Sequence, residues 1–274
     1  MGKLMNSLKG CNKSKFAQKI QLLLAASTLC IGTAVASGSE QHLLHAHVDL
    51  ANKGSLQRGA KLYVNYCSGC HSLKYLRYSQ LAQGLELLTY DGQIDKHLLH
   101  NNLVFTSAQV GDPVKISMPP TDAREWFGKV PPDLSLVARV RGADWLYTYL
   151  KSFYQDNEKP FGANNWIFPD VAMPNVLAPL QGIQQPVYET KTFVFDGQEK
   201  TEEVIARLTT TEDGEMSEHQ FDAAVNDIVS FLAYVGEPVK QKREWLGIWV
   251  LLFVFSFTLL LYALKKSYWS EIKK

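Results

Sequence analysis

The pattern of apolar and polar positions divides the chain into an apolar N-terminal run, a mixed body and a longer apolar C-terminal run. Residues 246–264 form nineteen consecutive positions without a charge. As a helix they extend about 28 Å, close to one hydrocarbon thickness. Aromatic residues stand near both ends, as they do at membrane interfaces, at Trp245, Trp249, Tyr262, Tyr268 and Trp269. A buried core helix is the alternative, but lysines end the run and no charge interrupts it. The pattern predicts a membrane anchor over 245–264 and a tail over 265–274.

Residues 217–235 carry the clearest helical pattern of the body. Ser217 with Gln220 has the spacing of a capping box, and Gly236 and Pro238 end the pattern. Apolar residues recur at spacings of three and four on one face, at Phe221, Val225, Ile228, Leu232 and Val235. We expect this face to pack on the helix that precedes Cys67 and to close a pocket there.

The rest of the body predicts short helices, loops and one β-hairpin. Helices are expected over 55–66, with Ser55 as cap, 72–81, 93–103, 134–141, with Asp133 as cap, and 145–153, with Asp144 as cap. The region 83–129 is otherwise expected to be loop-rich, and 161–186, rich in proline, an ordered loop. Strands over 187–195 and 201–210 flank Asp196-Gly197, a hairpin turn. The predicted fold is mainly α, with loop insertions, a β-hairpin and one C-terminal transmembrane helix.

The first 36 residues have the features of an export signal. Five lysines precede a short apolar run over 20–31, and Ala34-Val35-Ala36 has the small-x-small cleavage pattern. An uncleaved N-terminal anchor is the alternative. With an export signal at 1–36, residues 37–244 would be exported and 265–274 would stay in the cytoplasm. The chain without 1–36 holds 23 basic and 27 acidic residues, a charge of −4, which does not suggest nucleic-acid binding.

The candidate chemistry lies in the stretch Cys67-Ser68-Gly69-Cys70-His71. C-x-x-C-H is the attachment motif of a c-type haem. Two thiols at this spacing can each form a thioether with a haem vinyl group, and the adjacent histidine can then ligate the iron. A thiol redox motif or half of a zinc site would use the same cysteines. A redox motif needs a strand before it, however, whereas a helix is predicted here. A zinc site of the cysteine type needs a second cysteine pair at similar spacing, which the sequence lacks.

A six-coordinate haem needs a second axial ligand, commonly a methionine sulfur in electron carriers. After residue 36 the candidates are Met118, Met173 and Met216. Met216 begins a helix and is expected to pack. The other two precede proline, which keeps them out of regular helix, and Met173 is favoured because it follows the helices expected to wall the pocket. His97 or His100 is a minor alternative, and His42, His45 and His47 are taken as incidental.

Four pieces of the sequence, in this order, resemble the cytochrome c1 family. They are Arg58-Gly59 before Cys67-Ser68-Gly69-Cys70-His71-Ser72-Leu73 with Tyr75 and Tyr78; Pro131-Pro132-Asp133-Leu134-Ser135; Val171-Ala172-Met173-Pro174-Asn175-Val176-Leu177; and the capped helix with Glu237-Pro238 and the anchor. The resemblance covers residue 50 to the C terminus. It implies a c-type cytochrome fold with one covalently attached haem c, bound by Cys67, Cys70 and His71.

The resemblance also implies further site residues. Met173 would be the second axial ligand, with His71 as the first. A carbonyl near Pro131 or Pro132 would accept the other ring N–H of His71, and Arg124 would meet a haem propionate. Arg124 lies one residue closer to Pro131 than in the family pattern. Met173-Pro174-Asn175 replaces the family's usual Met-Ala-Pro-Pro, as in some bacterial members.

The family resemblance implies an electron carrier of the bc1 complex in the bacterial inner membrane, with its haem domain in the periplasm. It would take electrons from the Rieske iron–sulfur protein, beside cytochrome b, and pass them to cytochrome c, with no substrate site and no catalytic residue of its own. Exported acidic residues could dock a basic partner, or could simply be solvated. Two alternatives stay open: another anchored c-type cytochrome that serves an oxidase or reductase, and a haem-free, membrane-tethered thiol protein.

Overall fold

The computed structural model describes residues 43–195 and 198–271. The predicted export signal, His42 and the Asp196-Gly197 turn therefore lie outside the described residues. The helices, in chain order, are α1 Lys53–Tyr66, α2 Tyr78–Gly84, α3 Lys96–Asn102, α4 Pro120–Phe127, α5 Val137–Arg141, α6 Ala143–Lys151, α7 Ala178–Gln181, α8 Glu218–Gly236 and α9 Lys240–Glu271. The strands form antiparallel pairs of β1 Leu73–Arg77 with β2 Pro113–Val114, β3 Phe153–Gln155 with β4 Ala163–Asn165, and β5 Gly182–Phe195 with β6 Gln198–Asp213. The mainly α prediction with a hairpin is confirmed.

The centre of the domain is the contact between α1 and α8. The predicted apolar face of α8 is buried, and Ser217 and Gln220 form the predicted capping box. Gly59 of α1 allows the close approach, because a Cβ there would overlap the carbonyl oxygen of Asp227. The contact also buries charge: Asp227 Oδ1 accepts a 2.6 Å hydrogen bond from Ser55 Oγ, and Oδ2 a 2.6 Å bond from Arg58 Nε. The apolar face of α8 therefore packs on the helix that precedes Cys67, as the apolar pattern predicted.

Two predictions near the motif are wrong in detail. Ser55 does not cap α1; the Asn52 side chain does, by accepting from Ser55 N at 3.0 Å. The predicted helix over 72–81 is a strand to Arg77, and only then a helix. The reason is tertiary, since Leu73 and Leu76 are fully buried and the strand pairs with β2.

Two predicted helix caps have other roles. Helix α5 begins at Val137, after Leu136, and Asp133 instead accepts backbone hydrogen bonds outside any helix. Asp144 lies inside the first turn of α6, and its Oδ1 accepts a 2.8 Å bond from Ala46 N. Each carboxylate accepts a hydrogen bond from a backbone amide far away in the chain, Lys74 N for Asp133 and Ala46 N for Asp144.

The regions predicted to be loops contain more regular secondary structure than expected. The helix within 93–103 is confirmed as α3, but α4 was not foreseen in the loop-rich region, and 161–186 contains β4, α7 and the start of β5. The predicted hairpin is confirmed and longer, since β5 and β6 pair from Gly182–Asp213 to Phe195–Gln198. The predicted anchor lies within α9, which is long and apolar enough to cross a membrane. The apolar segment of this helix is 0% buried.

Candidate functional site

The Cys67–His71 stretch forms a tight turn at the end of α1. Cys67 N donates to Tyr63 O at 2.8 Å, and His71 N donates back to Cys67 O at 2.9 Å. The Tyr63 hydroxyl donates to His71 O at 2.5 Å, so a buried phenol of α1 also holds the last residue of the motif. This turn brings both thiols and the imidazole to one end of the helix.

The protonation of the thiols argues against thiolate redox chemistry. Both cysteines are free and partly buried. Burial raises the pKa of Cys67 to about 12 and also raises the pKa of Cys70. A redox-active cysteine needs the opposite shift, toward an accessible thiolate. A zinc site gains no support either, because residues 43–195 and 198–271 contain no cluster of three or more His, Cys, Asp or Glu side chains suited to a metal.

His71 presents a neutral imidazole with one nitrogen already bound. Its Nδ1 lies 2.7 Å from the Pro132 carbonyl oxygen and donates to it, because a carbonyl can only accept. This tautomer leaves the Nε2 lone pair available for a metal. Burial lowers the pKa of His71, against smaller opposing effects of the Pro132 bond and Asp133. The contacting carbonyl belongs to Pro132, not to Pro131, which is partly buried beside it.

The segment 131–135 runs as a strap along the residues that follow His71. Leu134 N donates to Ser72 O at 2.9 Å, and Lys74 N donates to Asp133 Oδ2 at 2.9 Å. Tyr75 N donates to the Ser135 hydroxyl at 3.1 Å. Together with the His71–Pro132 bond, these contacts set the orientation of the imidazole ring.

Met173 lies in an irregular, partly buried segment before α7, as predicted from its following proline. Its Sδ accepts a hydrogen bond from the Tyr149 hydroxyl of α6, at an O–S distance of 3.4 Å. Tyr149 is a site residue that no sequence motif pointed to. Its phenol is largely buried and its pKa is raised by burial, and the aromatic richness of 145–153 was the one feature that could have pointed to it.

Met118 occupies a different environment. It lines a cavity of about 230 Å³ whose wall also includes Ser68 and Gly69, the two residues between the cysteines. Met216 packs against the hydrophobic core, as expected for a residue beginning a helix. His97 and His100 are exposed on α3, and His97 pairs with Asn101. Met118 and Met173 are therefore the two candidates that remain for the second iron ligand.

Arg124 is exposed in the last turn of α4. Its side chain makes no hydrogen bond or ion pair with any residue in the part of the chain that the structure describes. Helix α4 is held toward the 161–186 region by Phe127, whose ring lies 5.7 Å from that of Phe161. Arg124 is thus free to meet an anion, but its position alone does not identify one.

The donor set fits a c-type haem. Two neutral thiols at the required spacing precede an imidazole whose free nitrogen is Nε2, and thioether sulfurs are available on loops. Nitrogen and thioether sulfur are the axial ligands that such haems use in electron carriers. The same set offers neither the thiolate nor the second ligand pair that the competing sites need.

Comparisons with known proteins agree with this chemistry. A family profile described as the cytochrome c1 family matches residues 44–272. Cytochrome c1 of Allochromatium vinosum is 47% identical over 253 residues, covering 92% of this chain and 99% of that protein. A Nitrosomonas europaea protein named ammonia monooxygenase gamma subunit is 42% identical, covering 92% and 98%. Cytochrome c1 of Rhodospirillum rubrum is 28% identical, covering 93% and 98%. With the C-x-x-C-H turn, the histidine bonded to Pro132 and the apolar C-terminal helix, these matches show that the chain belongs to the cytochrome c1 family of haem-containing electron-transport proteins.

Proposed function

We propose that this chain is the haem subunit of a bacterial quinol–cytochrome c oxidoreductase, the bc1 complex. It would accept an electron from the Rieske iron–sulfur protein and pass it to a cytochrome c. The observation that carries the proposal is the bond from His71 Nδ1 to the Pro132 carbonyl beside two neutral thiols. This arrangement suits an iron ligand and does not suit thiol redox chemistry.

Each site residue has one role in this proposal. Cys67 and Cys70 would attach the haem, and His71 Nε2 and Met173 Sδ would bind its iron. When bound, the haem supplies a one-electron carrier. With both iron ligands supplied by the protein, the iron would bind no substrate, so the chain would relay electrons and would have no catalytic residue of its own. Arg124, exposed and without a described partner, is the candidate for a propionate.

The proposed topology places the haem domain, 37–244, in the periplasm, after removal of 1–36. The apolar part of α9 anchors it to the inner membrane with 265–274 in the cytoplasm. Its partners there would be cytochrome b and the Rieske protein, with cytochrome c docking from the periplasm. Exposed acidic residues on and beside the hairpin, including Glu202, Glu203, Glu212 and Glu215, give a surface suited to a basic partner.

Two measurements test the cofactor and the site. Haem staining of the denatured protein and its pyridine haemochrome spectrum should show a covalent c-type haem, and the Cys67→Ser/Cys70→Ser variant should show none. Met173→Leu should keep the haem but lower its reduction potential, because a soft sulfur ligand that favours Fe(II) is lost. Met118→Leu is the matched control and should leave the potential unchanged. A wild-type protein without covalent haem would refute the proposal, and the opposite behaviour of the two methionine variants would assign the ligand to Met118.

A second candidate is a tethered cytochrome serving a different oxidoreductase. The observation that favours it is the name of the 42% identical Nitrosomonas protein, ammonia monooxygenase gamma subunit. Purification in mild detergent distinguishes the two candidates. Cytochrome b and a Rieske protein should accompany this chain if it belongs to a bc1 complex, whereas another oxidoreductase in their place would support the second candidate.

A further inference from the structure

The Tyr149 hydroxyl and the Met173 sulfur form the contact on which this inference depends. They lie 3.4 Å apart, 24 residues distant in sequence. A thioether sulfur carries no proton, so the phenol must be the donor and the sulfur the acceptor. Of the sulfur's two lone pairs, the one that accepts this bond is directed toward α6, which leaves the other for a metal.

The tyrosine ring is fixed by its neighbours. It stacks on Trp145 at 4.9 Å between centroids, with an interplanar angle of 10°, and meets Phe153 edge-on at 5.1 Å. Arg141 lies 4.9 Å above the ring of Trp145 and extends the stack. A ring held on both sides loses little entropy when its hydroxyl points at one acceptor. The direction of the phenol is therefore set before any ligand is bound.

The tyrosine is also linked to the segment that leads to Met173. Asn165, 0% exposed, donates through Nδ2 to Tyr149 O at 2.8 Å. The Asn165 Oδ1 accepts from Phe168 N at 3.1 Å, and Phe168 in turn lies against the Tyr149 ring at 6.4 Å. One buried amide thus couples the end of α6 to the start of the loop carrying the sulfur.

We propose that Tyr149 is a positioning residue for Met173, whose hydroxyl orients the sulfur for axial ligation and reduces its electron donation, raising the reduction potential of the haem. The inference rests on the proposed function, in which Met173 is the second axial ligand. Its physical basis is that a hydrogen bond withdraws electron density from the sulfur. A poorer donor stabilises Fe(III) less, and Fe(II), which a soft thioether already favours, gains in relative stability.

The test is the reduction potential of Tyr149→Phe, which removes only the hydroxyl and keeps the ring stack. At a fixed applied potential, the ferric-to-ferrous ratio of the haem should rise about three- to tenfold. At about 59 mV per tenfold for one electron, this corresponds to a reduction potential that is lower by about 30–60 mV. The methionine–iron charge-transfer band should remain, which distinguishes weakened tuning from loss of the ligand. Tyr147→Phe removes a hydroxyl from the same helix, where the ring faces Lys151 instead, and should leave the potential unchanged.

A double-variant comparison separates this inference from the ligand assignment. In the Met173→Leu background, Tyr149→Phe should cause no further change, because the acceptor is gone. If Met173→Leu lowers the potential but Tyr149→Phe does not, the inference is wrong and the ligand stands. If Met173→Leu has no effect on the potential, Met173 is not the iron ligand, and the inference about Tyr149 is wrong with it. An equal effect of Tyr149→Phe with and without Met173 would also overturn the inference. Tyr149→Leu, which likewise lacks the hydroxyl, should shift the potential in the same direction if the phenylalanine variant accumulates poorly.

Discussion

His71 Nδ1 donates to the carbonyl oxygen of Pro132, 61 residues further along the chain, over 2.7 Å. This bond determines which imidazole nitrogen is free. The acceptor does not come from the residues that follow the C-x-x-C-H motif. It comes from the strap 131–135. Asp133 and Ser135 of the strap bind the backbone of the strand that follows His71, so the orientation of the candidate iron ligand depends on a distant loop.

Loosening this strap should destabilise the domain. Asp133→Ala removes the acceptor for Lys74 N and for Ser135 N, and Ser135 is 0% exposed. We expect a loss of about 1–3 kcal/mol in the free energy of unfolding, since a buried donor is left unpaired. Thermal unfolding in detergent measures it. Glu125→Ala, an exposed carboxylate in α4, is the control and should have no effect. Equal stability of both variants would mean that the strap is held by its other bonds.

The close contact of α1 and α8 gives a second prediction. Gly59→Ala would place a methyl group into the Asp227 carbonyl and 2.8 Å from Phe231 Cβ. Because backbone blocks the new atom, we expect about 1–3 kcal/mol of destabilisation. Gly54→Ala lies in the same helix, but there the Cβ has contacts of 3.5 Å and longer. It should be neutral or slightly stabilising, since alanine favours helix. Similar chemical denaturation curves for the two variants would contradict the packing argument.

The segment before α1 should be released by acid. Asp144 accepts from Ala46 N and meets His45, and the Ala46 bond is the main cause of its lowered pKa. A carboxyl with a lowered folded-state pKa stabilises at pH above its ordinary value, about 3.9, and loses that contribution as the pH falls below it. Hydrogen exchange should therefore show protection of the Ala46 amide at pH 7 and its loss near pH 3.

Two controls make this pH prediction specific. Asp144→Ala should already remove the Ala46 protection at pH 7. The amide of Val225, in the centre of α8, should stay protected at both pH values, which excludes global unfolding. Retained protection of Ala46 in acid would show that the Leu44–Thr148 and His47–Asn226 bonds suffice to hold the segment.

The anchor should be separable from the haem domain. None of the apolar segment of α9 is buried, and no residue of 245–271 belongs to the hydrophobic core. A chain ending at Glu244 should therefore be exported, bind haem and stay in solution without detergent. Absorbance spectra and sedimentation of washed membranes measure this against the full chain. A truncated protein that still sediments with membranes would indicate a second attachment surface in the haem domain.

Partner reduction should slow as salt rises. If exposed carboxylates such as Glu202 and Glu203 of the hairpin steer a basic cytochrome c, the association rate depends on screened long-range attraction. Stopped-flow reduction of the partner at increasing ionic strength measures it. Replacing both glutamates by glutamine should flatten the salt dependence, whereas replacing Glu86 and Glu125, outside the hairpin, should not. Rates that do not change with salt would remove the steering proposal.

The amino-acid sequence alone was enough for the features that local chemistry and periodicity control. The C-x-x-C-H spacing predicts the candidate attachment site, the stripe from Phe221 to Val235 predicts α8, and the uncharged run predicts an apolar helix long enough to cross a membrane. Each depends on residues close together in the chain. Local preference was overridden where a tertiary partner competes with it. The strand β1 forms instead of the predicted helix because Leu73 and Leu76 are buried in the core. Asp133 and Asp144 accept from distant amides and do not cap their helices. Only the folded chain could pair His71 with Pro132 and Tyr149 with Met173, because a hydrogen bond across 61 or 24 residues depends on packing and leaves no periodic trace in the sequence.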